Sequence, residues 1–72
     1  MDKEITFEIR QHYGTFGHSQ SGWPKEVNLI SWNGRDPKID IRSWSPDKMK
    51  SAKIATMTKD EAKRLAEILM KI

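Results

Sequence analysis

Seventy-two residues with no cysteine allow one small domain and exclude disulfides and thiolate metal sites. Hydrophobic residues are 36% and charged residues 32%, so the core is thin. A chain of this length buries only about 60% of the surface its unfolded form exposes, and small domains without staples gain stability by oligomerising. A homodimer is therefore expected. No apolar run reaches the length of a signal peptide or a membrane span, so the reading is cytoplasmic, with no membrane partner.

The net charge of +3 is modest, but its distribution is informative. Residues 1–22 carry two cations and three anions, residues 23–57 seven and four, and residues 58–72 four and three. The surplus therefore sits mid-chain, together with Trp23, Trp32 and Trp44. Cations interleaved with aromatics are a footprint of nucleic-acid binding. The plainer alternative is that they keep a small protein soluble.

In chain order, residues 4–10, EITFEIR, alternate strictly and predict a half-buried strand with Ile5, Phe7 and Ile9 on one face. GTFGHSQSG has three glycines and two serines and predicts a flexible loop over 14–22. Residues 23–32, WPKEVNLISW, form a second strand with imperfect alternation, and Pro24 fits only its start or an edge. Asn33-Gly34 is a hairpin signal, because both residues tolerate positive φ. The third strand is PKIDIRSW, with Ile39 and Ile41 toward the core and Lys38, Asp40, Arg42 and Trp44 on the opposite face. KIATM, 53–57, is a short fourth strand. TKDE at 58–61 is a capping box, followed by a helical stripe of Ala62, Leu65, Ile68, Leu69 and Ile72. The fold class is α+β: a four-stranded antiparallel sheet, one face under a C-terminal helix and the other open.

Catalytic signals are weak. His12 and His18 match no metal-ligand spacing, and no nucleophile elbow or phosphate-binding glycine loop is present. Asp36, Asp40 and Asp47 do not fit a calcium loop; Asp40 is expected to pair with a neighbouring cation. No enzyme activity, metal or cofactor is expected.

The open face is the candidate site. Lys25, Ser31, Asn33, Lys38, Arg42 and Trp44 are expected to form a stripe across the second and third strands. Cations there would track phosphates while an indole stacks on a base. The competing reading packs Trp44 against the fourth strand or a partner subunit. For Trp23 and Trp32 the core or dimer reading is the stronger one.

The stretch GWPKEVNLISWNGRDPKIDIRSWSPD, 22–47, resembles the positive cofactor four family of single-stranded-DNA-binding transcriptional coactivators, its short bacterial, YdbC-like members in particular. IDIR and the tryptophan after it are the most telling, and the likeness extends over about residues 5–72. The resemblance implies a strongly curved sheet followed by one helix, a homodimer, and single-stranded DNA bound with little sequence preference. Carried onto this chain, it points to Arg42, Trp44, Lys38, Lys25 and Lys53. Ile54 stands where relatives usually carry glycine. The expected function is a non-catalytic, coactivator-like single-stranded-DNA-binding homodimer, with the transcription machinery as a further partner. The alternatives are a protein–protein interaction module of that machinery and a single-stranded-RNA binder.

Overall fold

The computed structural model describes residues 6–72. Four antiparallel strands form one sheet in the order β1 (Phe7–His18), β2 (Pro24–Trp32), β3 (Lys38–Trp44), β4 (Ser51–Met57), and helix α1 (Lys59–Leu69) follows. The expected α+β architecture is therefore present. Residues 4 and 5 of the first expected strand lie outside the described residues. Among the described residues, no helix is long and apolar enough to cross a membrane.

The stretch expected to be a loop after residue 13 is strand as far as His18. Its pairing with β2 slips three times, leaving Arg10, Tyr13 and Phe16 as extra residues. Two of these are followed directly by Gly14 and Gly17. Glycine inside a strand marks a bulge as readily as a loop, and pairing with β2 satisfies the backbone that a loop would leave to water. Bulges also bend a strand and increase its twist. The turn is confined to 19–22, closed by Gly22 N–H donating to the Ser19 carbonyl at 2.9 Å.

The β2–β3 hairpin forms as the dipeptide predicts. Asn33 and Gly34 have φ of 52° and 73°, and Arg35 N–H donates to the Trp32 carbonyl at 2.9 Å. The pairs Ile30↔Lys38 and Lys25↔Ser43 are symmetric about Gly34. Directly opposed residues share a face, so even-numbered residues of β2 and β3 lie on one face and odd-numbered residues on the other.

The even-numbered residues of β3 were expected on an open face, yet the tightest core is on the face they share with the even-numbered residues of β2. Ile30, Asn28, Asp40 and Trp44 are its fully buried side chains. The reason is coiling of the sheet. Phe7 pairs with Trp32, whereas Trp44 lies, by extension of the register, level with Pro24. Those two levels are roughly 26 Å apart along a straight strand. The Phe7 and Trp44 rings are nonetheless 5.4 Å apart, so the sheet wraps opposite corners onto each other.

The odd-numbered face carries Val27, Leu29, Ile39 and Ile41 and lies under α1. The capping box closes as expected: Glu61 N–H donates to the Thr58 hydroxyl at 3.1 Å, and Thr58 N–H to the Glu61 carboxylate at 2.9 Å. No helix residue is buried; Ile68 is 58% and Leu69 51% exposed.

Candidate nucleic-acid interface

Strand β3 places Lys38, Asp40, Arg42 and Trp44 on the coiled face by simple alternation. Their fates differ sharply. The Arg42 guanidinium forks onto Asp40, with Nε donating to Oδ1 at 2.6 Å and Nη2 to Oδ2 at 2.9 Å. Nη1 donates to the Ser51 hydroxyl at 2.9 Å, and the Thr56 hydroxyl donates to Asp40 at 3.2 Å. Asp40 thus has the cation partner expected of it. Its side chain is fully buried and that of Arg42 is 12% exposed. A buried carboxylate is tolerated only when paired and hydrogen-bonded in this way.

The Arg42 guanidinium also lies 4.5 Å from the Trp32 ring centre and 5.7 Å from that of Trp44. Phe7 packs on both indoles, at 5.2 and 5.4 Å. Lys48 covers Trp44 from the β3–β4 connection, its Nζ 5.4 Å from the ring and 3.5 Å from Glu26. The turn that delivers Lys48 is tied through Asp47, whose carboxylate accepts from the Ser45 hydroxyl at 2.7 Å and Met49 N–H at 2.9 Å. Those bonds, the hydroxyl's first, hold the Asp47 carboxyl below its ordinary pKa.

The expectation that Trp44 projects into solvent is therefore corrected. It is 2% exposed, and its Nε1 has no partner among the described residues. Coiling, which strict alternation does not reveal, folds Phe7, Arg42 and Lys48 over it. Trp44 is the floor beneath Arg42, and the accessible rings of the cluster are half-buried Trp32 and 41%-exposed Phe7.

The expected stripe also divides. Lys25 and Ser31 are odd-numbered and lie on the helix-side face. Ser31 is 4% exposed and donates its hydroxyl to the Arg35 carbonyl at 2.6 Å. Asn33 belongs to the turn, where its side-chain oxygen accepts from Thr6 N–H at 2.9 Å. Lys38, Arg42 and Lys53 do come together, Lys53 lying directly across from Arg42. With Trp32, Arg35 and Thr56 they line a groove of about 300 Å³. Sequence reasoning missed Trp32 and Arg35. The parity rule around Asn33-Gly34 would have put Trp32 beside Lys38 and Arg42, had the register been known.

Arg35, Lys38 and Lys53 are exposed and form no ion pair among the described residues. The groove thus combines three uncommitted cations with a partly exposed aromatic wall. Residues 19–68, which hold all of this groove, match the family model described as Transcriptional Coactivator p15 (PC4). The chain belongs to the PC4 family. It is also 42% identical over 69 residues to an uncharacterized protein of Treponema pallidum (strain Nichols), spanning 96% of this chain and 81% of that relative. Membership of the PC4 family carries a nucleic-acid-binding, coactivator-like role at family level. Within that family match, Ile54 occupies a bulge where β4 slips against β3, and it is 53% exposed.

Proposed function

We propose that the protein is a non-catalytic, homodimeric single-stranded-DNA-binding protein acting where unpaired DNA is exposed, as in transcription. The observation that carries this reading is the convergence of Arg35, Lys38 and Lys53 around Trp32 in one groove. Unpaired strands offer phosphates to cations and free ring faces to aromatics, and each stacked base contributes about 1–3 kcal/mol. Arg42 supports the site by holding Trp32 in place, because its fork is already committed to Asp40. Trp44 supports Arg42 from below. Ile68, Leu69 and Ile72 of the apolar stripe are exposed in a single chain, which favours the homodimer.

Retention of a labelled single strand, its duplex and the matching RNA, measured at two salt concentrations, tests the reading. Tighter, salt-sensitive binding of the DNA single strand is expected. Equal retention of duplex would contradict it, and preference for the RNA would transfer the site to single-stranded RNA.

A further inference from the structure

One wall of the groove does not suit a surface that merely tracks phosphates. Asp36 follows Arg35 out of the hairpin turn and lines the groove beside Trp32, Lys38 and Lys53. It is exposed, and among the described residues its carboxylate enters no ion pair with these cations. Asp40, also on this face, is fully committed to Arg42 and Thr56. One acid is consumed by the structure, and the other lines the groove without a partner cation among the described residues.

A free carboxylate weakens a phosphate-binding groove by repulsion unless it meets a donor. The N–H donors of a single DNA strand are all on its bases. We infer that Asp36 reads the Watson–Crick edge of the base seated against Trp32, and that it favours guanine over thymine. This rests on the nucleic-acid reading above. A carboxylate only accepts, through two oxygens side by side. Guanine presents N1–H and N2–H side by side and serves both. Adenine and cytosine present one amino donor beside a ring-nitrogen acceptor. Thymine presents N3–H between two carbonyl oxygens, which the carboxylate repels. Unpaired bases expose these edges, and phosphate contacts carry no such information.

The test compares a thymine-only oligomer with the same oligomer carrying isolated guanines, for the wild type and for Asp36→Asn. The wild type binds the guanine-bearing strand about fivefold more tightly, near the lower end for a bidentate base contact because the position is exposed. Asp36→Asn, which keeps the size and loses the charge, brings the ratio close to one and raises affinity for the thymine strand. Asp36→Ala abolishes the preference in the same way. Equal binding of both strands by the wild type, or a preference that survives in both variants, overturns the assignment while leaving single-strand binding intact. Failure of the wild type to bind either strand removes the nucleic-acid reading itself.

Discussion

The two faces of the sheet differ in how complete they are. On the even-numbered face, coiling closes Phe7, Trp32, Trp44 and the Arg42–Asp40 pair onto one another within a single chain. On the odd-numbered face, the helix lies over Val27 and Ile39 but buries none of its own residues. The lesson is that apolar pattern alone does not locate the core in so small a protein. The face richest in charge is finished internally, and the face with the cleaner apolar stripe is left unsatisfied. A solitary chain has too little volume to complete both.

The largest effect should come from breaking the finished face. Asp40→Ala leaves the Arg42 guanidinium nearly buried and unpaired, which costs about 3–5 kcal/mol. Chemical denaturation should show this as a lower midpoint, with loss of strand binding following loss of fold. Trp44→Ala should cost a comparable 3–5 kcal/mol by opening a cavity. Trp32→Ala is expected to divide the two roles of the aromatics: its half-exposed ring should affect strand affinity more than stability. An equal stability loss for Trp32 and Trp44 would erase the distinction between floor and contact surface.

The unfinished face is probed by Leu69→Glu. At 51% exposure in one chain, this position should tolerate the charge in a monomer and not in an apolar interface. Sedimentation should then report a shift from dimer to monomer, with the near-ultraviolet signal of the tryptophan cluster unchanged. Thr58→Ala removes one half of the capping box and should lower stability by about 1 kcal/mol.

The smallest effect concerns Asp47. A carboxyl whose folded pKa lies below its unfolded value stabilises the fold above that unfolded value, near 3.9 for model peptides, and the contribution disappears as pH falls through the folded value. The turn carrying Lys48 should therefore loosen only in acid, below about pH 4, while neutral conditions leave it intact. Carboxyl titration by NMR should show Asp47 moving up toward its ordinary value in Ser45→Ala.

Much of this molecule was legible in its sequence. The Asn-Gly turn, the capping box and the alternation of β3 are local signals, and each is expressed locally. The course of β1 was not, because Gly14 and Gly17 read as loop until β2 is there to pair with them. The burial of Trp44 was hidden for a related reason. Period-two alternation assigns a residue to a face but says nothing of sheet curvature, to which the three bulges of β1 and the one of β4 contribute. The candidate groove was half legible. Lys38, Arg42 and Lys53 follow from strand and register, whereas adding Trp32 and removing Lys25 and Ser31 depend on a hairpin symmetry that only the paired strands reveal.

Arg35, Lys38 and Lys53 line one groove and are proposed as the cations that meet a single strand there. The most direct test is the salt dependence of single-strand affinity in the wild type and in a variant with all three changed to alanine. Three phosphate contacts at about −0.7 each predict that the log–log slope becomes shallower by about 2 per subunit, with folding unchanged. A slope that stays as steep in the triple variant would place the phosphate contacts outside this groove.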